Sequence, residues 1–151
     1  NSVRTGNDII DIIVNQKLRE AMKEKITFVM NLGNMENFPL KEPDTVVLLS
    51  NLLENAMEAC KGIENEAEKI IRLKMAQRGE NFILAVSNSV NNEVRVTNHV
   101  AQTTKENKLS HGIGMGNIRE IIPKYGAEGE CRYEEGWFVY TIVFGAGVSW
   151  R

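Results

Sequence analysis

The chain has 151 residues, of which 42% are apolar, enough for one domain with its own core. Eighteen basic residues against twenty acidic ones leave a formal net charge of −2, so no basic surplus points to nucleic acid or to an anionic membrane surface. No apolar stretch approaches the roughly 20 residues of a membrane span, and a chain without an initiator Met or a signal-peptide pattern reads as a piece of a longer protein.

In chain order, residues 7–25 predict a helix, with Asn7 or Asp8 as its cap and Lys23 and Lys25 at its end. Its apolar residues (Ile9, Ile10, Ile12, Ile13, Leu18, Ala21 and Met22) spread wider than one core stripe. Either this is an ordinary packed helix, or its first half continues a helix from an upstream domain. Residues 25–32 predict a strand with Ile26, Phe28 and Met30 on one face, and residues 33–44 a loop holding Pro39 and Pro43. Asp44 is a suitable N-cap, and Gly62 a suitable terminator, for a helix over the apolar run 46–63.

Residues 64–69 form a charged connector. Residues 69–77 alternate Ile71, Leu73 and Met75 with Arg72 and Lys74, a strand with one face buried. A turn at 78–81 leads to a second strand over 82–87, which ends at Asn88-Ser89-Val90-Asn91-Asn92. Residues 91–110 are polar with little periodicity, a length that fits either a lid over a site or a disordered loop. A helix over 112–125 ends near Pro123. Two strands, 130–134 and 137–144, join through Glu135-Gly136. Strand pairs joined by hairpins make a mostly antiparallel sheet with helices gathered on one face, an α+β fold built as a two-layer α/β sandwich.

Two stretches carry the chemistry. In the central helix, Asn51, Asn55 and Glu58 share one narrow stripe with Glu54 at its edge, while Leu49, Leu53, Ala56 and Cys60 lie opposite. The flanks are apolar as well, so these polar groups sit on a helix built for burial and need partners. The stripe is either a polar outer face or the lining of a cleft that meets a polar ligand or a hydrated metal. In the second stretch, Gly112, Gly114 and Gly116 alternate just before the apolar-periodic Ile118, Ile121 and Ile122. Glycines allow close backbone approach, and a helix start offers free N–H groups to an anion such as a phosphate chain. Cys60 and Cys131 lack metal-ligand spacing, and His99 and His111 are remote from each other and from both cysteines.

Asn-Leu-Leu-Glu-Asn-Ala at 51–56 and His-Gly-Ile-Gly-Met-Gly-Asn-Ile at 111–118 resemble the N box and G2 box of the GHKL ATP-binding superfamily. The likeness is stronger to the catalytic domain of sensor histidine kinases of the quorum-sensing, accessory-gene-regulator-like group. It extends over Thr5-Gly6-Asn7-Asp8-Ile9-Ile10-Asp11-Ile12-Ile13 with Lys17, and over Lys124-Tyr125-Gly126 and Gly136-Trp137-Phe138-Val139-Tyr140-Thr141-Ile142. The resemblance implies the Bergerat (GHKL) fold over 26–151 with a lid at about 89–110. It also implies that residues 1–25 lead in from an upstream dimerisation region, so the continuing-helix reading of the first helix is the one it favours.

The resemblance implies ATP with Mg²⁺ as the ligands. Asn55 takes the Mg²⁺-ligand position, and Asn51 stands where the hydrolysing branches carry a glutamate general base. An amide cannot accept a proton near neutral pH, which suits transfer to a histidine better than activation of water. Glu54 and Glu58 are then candidate helpers of the metal or the acceptor, or plain structural partners. Asn88 takes the place of the adenine-binding aspartate, and neither glycine of the usual Asp-x-Gly-x-Gly follows it. Because bonds to ionised groups are about twice as strong as neutral ones, nucleotide binding is expected to be weak, with a Kd on the order of 0.1–1 mM. His111, Gly112, Gly114, Gly116 and Asn117 would shape the phosphate loop, with Lys105 or Lys108 reaching phosphate from the lid or serving only as solvated charge.

The implied partners are the upstream dimerisation and phosphoacceptor helices, a response regulator and a second copy in the full-length protein, with no nucleic acid. The implied location is the cytoplasmic side of a membrane-anchored receptor. Neither histidine of the chain sits where an acceptor would. An anti-sigma-factor serine kinase or an ATPase module is disfavoured by residues 7–17. A nicotinamide-dinucleotide domain would need a strand directly before the glycines. A nucleotide-free GHKL scaffold that only binds a partner kinase or regulator is the alternative that the missing adenine motif keeps open.

Overall fold

The computed structural model describes residues 2–90 and 113–145, and the side chains of 113–117 are outside that description. Most of the expected lid, with Lys105 and Lys108, and also His111 and Gly112, therefore lie outside the described residues. The elements are α1 (Asp8–Lys23), β1 (Thr27–Leu32), α2 (Glu42–Cys60), a single 3₁₀ turn (Glu66–Glu68), β2 (Ile70–Arg78), β3 (Asn81–Ser89), α3 (Ile113–Lys124), β4 (Glu128–Glu134) and β5 (Trp137–Gly145). They form the two-layer α+β fold expected from the sequence.

The strand order is β1-β2-β3-β5-β4. β1 runs parallel to β2, with α2 as the crossover, and every other pairing is antiparallel. Side chains alternate across each strand. Leu73, Val86 and Tyr140 fall in one row through the register Leu73↔Val86 and Val86↔Tyr140, and all three are buried. This inner face meets Leu48, Leu49, Leu52, Leu53, Ala56 and Met57 of α2 and Ile118 and Ile121 of α3. The connector before α2 is not a passive loop. It inserts Met35, Phe38 and Leu40 into the core, where Phe38 meets Phe82 and Phe144 edge-on at 5.9 and 5.5 Å between ring centres.

Among the boundaries that differ from the sequence expectation, three have a clear local reason. Lys25 has φ +59 and closes α1: its N–H donates to the Met22 carbonyl, and the Ile26 N–H to that of Ala21. That is the left-handed helix stop usually made by glycine, so β1 begins only at Thr27. Asp44 does not cap α2. The helix starts at Glu42 behind Lys41, with proline in its first turn, and Asp44 lies two residues inside its start. Gly62 is not the terminator either, because α2 ends on Lys61 in ordinary helical geometry (φ −63, ψ −23).

The start of α1 is also informative. The Asn7 side chain accepts a bond from the Ile10 N–H, a true N-cap. Gly6, at φ +89, turns the chain sharply before it. Residues 3–5 run back along the first turns of the helix: the Val3 N–H donates to Asn15 Oδ1 at 2.9 Å, and the buried Thr5 donates its N–H and hydroxyl to Asp11 Oδ1 at 2.8 and 2.7 Å. The same corner is tied to the next connector, where the Met35 N–H donates to the Thr5 carbonyl at 2.7 Å. So α1 begins at a turn, and residues 2–7 do not extend it as a helix. Its face Ile10, Ile13, Val14, Lys17 and Ala21 is buried in the domain.

Candidate functional site

Helix α2 lies across the inner face of the sheet and turns Asn55 toward β3 and β5. There it meets a narrow cleft with apolar walls from Leu52, Ala56, Val86, Phe138 and Tyr140, and two amides, Asn55 and Asn88. The free space is about 20 Å³, room for about one water molecule. Two residues that the motifs single out, 33 positions apart in the chain (88 − 55), are thus brought to one place. The strand residues of the wall, Val86, Phe138 and Tyr140, were not singled out as site residues from the sequence. Their signal was present in the alternation of β3 and β5, whose even-numbered positions 82–86 and 138–144 are all buried.

The two amides differ in their bonding. Asn88 is 3% exposed and donates from Nδ2 to the Ser89 carbonyl at 2.9 Å. That bond fixes the amide plane and leaves the oxygen as the group it offers elsewhere. Asn55 Nδ2 is buried and has no hydrogen-bond partner among the described residues. A donor left so costs about 1–3 kcal/mol, which a folded chain tolerates best where something else completes it. Asn51 is half-buried one turn earlier on the same helix.

The carboxylates of the stripe are engaged elsewhere. Glu54 takes the Lys17 ammonium of α1, which also reaches Glu20 at 3.2 Å. Burial pulls the Lys17 value down, and the two carboxylates more than restore it, so the ammonium stays charged. Glu58 is exposed and pairs with Lys61 at 3.6 Å.

Helix α3 packs against α2 and begins at Ile113, so Gly114 and Gly116 belong to its first turn and not to a loop before it. Backbone N–H groups of a first helical turn lack intrahelical partners and favour anions. The far end of α3 is clasped to the start of α2. Tyr125 donates its hydroxyl to Asp44 Oδ2 at 2.6 Å and accepts from the Lys41 N–H at 3.0 Å, and Lys124 Nζ lies 2.8 Å from Asp44 Oδ2. Bonds from Lys124 and Tyr125 hold the Asp44 carboxyl below its ordinary range, against a smaller opposing effect of burial. Sequence reading missed this clasp because its parts lie 81 residues apart.

Where the superfamily pattern has a glycine two residues after the adenine-binding position, this chain has Val90. Its N–H continues the ladder to the Gly136 carbonyl at 2.9 Å, and it has no positive φ. Ser89 holds the connector before β2, donating to the Glu68 carbonyl at 2.6 Å and accepting from the Ile70 N–H at 3.0 Å. The backbone here extends the sheet, so no glycine turn is needed at position 90.

Residues 40–145 match the sequence profile of a family described as the GHKL domain. Among solved structures, the fold is similar to the nucleotide-free catalytic domain of the histidine kinase ThkA (TM-score 0.72, 18% identity, 92% of each chain covered). It is also similar to Acinetobacter baumannii histidine kinase AdeS (TM-score 0.63, 11% identity, 93% of this chain and 64% of that one). A third is full-length ShkA in complex with AMPPNP (TM-score 0.65, 12% identity, 95% of this chain and 30% of that one). At such identities the likeness concerns the fold. No curated protein matches the chain.

Proposed function

The chain belongs to the GHKL domain family, and on that premise we propose that it is the ATP- and Mg²⁺-binding catalytic domain of a two-component sensor histidine kinase. The observation that carries the reading is the buried, unpartnered Asn55 amide opening on the same cleft as Asn88, with the first turn of α3 on the neighbouring helix. Leu52, Ala56, Val86, Phe138 and Tyr140 supply the apolar walls a purine ring requires, and the Asn88 oxygen is the acceptor for its amino group. With about 20 Å³ free, the cleft would have to widen to admit the ring. The free N–H groups of the α3 start, with Gly114 and Gly116 allowing close approach, take the phosphates, joined by His111, Gly112, Asn117 and a lid lysine, Lys105 or Lys108.

The Asn55 amide oxygen would hold Mg²⁺, which prefers oxygen ligands and keeps several waters. When bound, the ion neutralises charge on the phosphates. Asn51, an amide, positions without removing a proton. The γ-phosphoryl acceptor is a histidine on an upstream dimerisation helix, so the 151-residue chain alone binds nucleotide and transfers little. A response regulator then receives the group. Residues 1–25 lead in from the dimerisation region, the full-length protein is a homodimer of the accessory-gene-regulator-like group, and this domain lies on the cytoplasmic side of a membrane-anchored receptor.

A thermal-shift titration with ATP and a non-hydrolysable analogue, with and without Mg²⁺, tests the reading beside Asn55→Ala. Ligand at ten times a Kd of about 0.1–1 mM adds roughly 1.4 kcal/mol, or about 3–6 °C. The shift should need Mg²⁺ and vanish in the variant. Removing the orphaned amide should leave the unliganded protein as stable as the parent or slightly more so. No shift of the folded parent at about 10 mM nucleotide, a concentration above that Kd range, would favour a nucleotide-free scaffold instead.

A further inference from the structure

Among the described residues, Lys17 is the one charged side chain in the buried set, at 7% exposure. It lies on the core face of α1, between Ile13, Val14 and Ala21, where a methionine or leucine would pack without a desolvation cost. Its ammonium reaches across to α2 and takes Glu54, the residue immediately before Asn55. Successive residues of a helix point about 100° apart, so α2 presents the ion pair to α1 and the unpartnered Asn55 amide to the cleft from adjacent positions. Any rotation of α2 that turns Asn55 out of the cleft must pull Glu54 from Lys17. Apolar contacts between the two helices tolerate a small roll, but the Lys17–Glu54 pair resists it, because the mostly buried ammonium would then keep only Glu20, on its own helix, as a partner.

We propose that Lys17 is a positioning residue for the site: it fixes the rotation of α2 about its axis, and with it the aim of Asn55, from the helix that leads into the domain. The pair therefore transmits the placement of α1 to the cleft. Glu54 acts through this pair and not on the ligand. The inference rests on the nucleotide reading only for what the aim of Asn55 serves.

The test uses the whole 151-residue chain with Lys17→Met, Lys17→Arg and the paired replacement Lys17→Met with Glu54→Leu. Two quantities are read: the Kd for Mg²⁺ with a non-hydrolysable ATP analogue, and the ¹H–¹⁵N resonances of the Asn55 side-chain amide in the unliganded protein. The paired replacement removes both charges, packs methionine at the buried position 17, and should melt near the parent temperature. It should nevertheless move the Asn55 amide resonances and weaken analogue binding about fivefold or more, while Lys17→Arg restores both. Because Glu54 adjoins Asn55, the resonances are compared between Lys17→Met and Lys17→Arg, which leave position 54 intact; a purely structural pair would change the melting temperature and leave both the Asn55 resonances in that comparison and the Kd unmoved. If the paired variant binds as tightly as the parent with unmoved Asn55 resonances, the proposal fails. If the parent binds no analogue, the nucleotide reading fails, and the Asn55 resonances alone still decide whether Lys17 sets its aim.

Discussion

At position 88 the amide makes one bond that a carboxylate could not: Nδ2 to the Ser89 carbonyl at 2.9 Å, in a site 3% exposed. Asn88→Asp should therefore do two opposite things. A charged acceptor facing the nucleotide should tighten ATP binding about five- to tenfold, because charge-assisted bonds are roughly twice as strong as neutral ones. The lost donor and the buried charge beside a carbonyl should cost the unliganded fold about 1–3 kcal/mol. Calorimetric titration with ATP and urea unfolding read the two effects separately. Equal affinities in the two proteins would remove adenine from position 88. Part of this scale was legible in the sequence: Asn51 and Asn55 stood out because amides on an apolar helix need a reason, and Asn88 only through the resemblance to the superfamily's adenine-binding position. The partners of Glu54 and Asp44 were not legible, since each lies on another helix, 37 and 81 residues away, and no local pattern encodes such a contact.

Helices α2 and α3 are held end to end by the Asp44, Tyr125 and Lys124 clasp. Position 44 illustrates how a sound local signal is diverted. Aspartate just ahead of an apolar run usually caps, but the proline at 43 already fits the first turn, which moves the start back to Glu42 and turns Asp44 toward α3. Its carboxyl value lies below the ordinary 3.8, chiefly through the bonds from Lys124 and Tyr125. The unfolded chain therefore takes up this proton before the folded one does. The stabilisation is complete above the unfolded value and is lost as pH falls through the lower, folded value. Tyr125→Phe should cost about 1–2 kcal/mol near neutral pH, a fall of roughly 2–6 °C in melting temperature. The deficit of Asp44→Asn should shrink once the pH drops below about 4. Melts at neutral and acid pH check both, and a deficit independent of pH would mean that Asp44 is not charged in the clasp.

Across the molecule, β2, β3 and β5 were readable because strict alternation leaves no doubt about which face is buried. β1 was readable as a strand but not as the parallel partner of β2, since a crossover through a helix leaves no mark on either strand. The 33–41 connector was read as a loop, yet Phe38 closes one end of the core against Phe82 and Phe144. Fully buried Phe144 is the hub of that end. Phe144→Ala should cost about 3–5 kcal/mol, a large share of the 5–15 kcal/mol that holds a typical domain. Val143→Ala, one residue earlier on the outer face, should cost about 1 kcal/mol or less. Chemical denaturation of the two variants tests the assignment of faces, and similar losses would contradict it.

The position of β5, last of the described strands in the chain but fourth in the sheet, has a consequence for synthesis. While a ribosome is still making residues 137–145, β3 exposes a bare edge and β4 has no neighbour to pair with. The nascent domain therefore cannot close its sheet vectorially, and it stays open until β5 emerges. A chain stalled or cut before Trp137 would display two unpaired edges, both ready to recruit strands from other molecules. A cell producing this protein thus has reason to destroy prematurely terminated copies quickly.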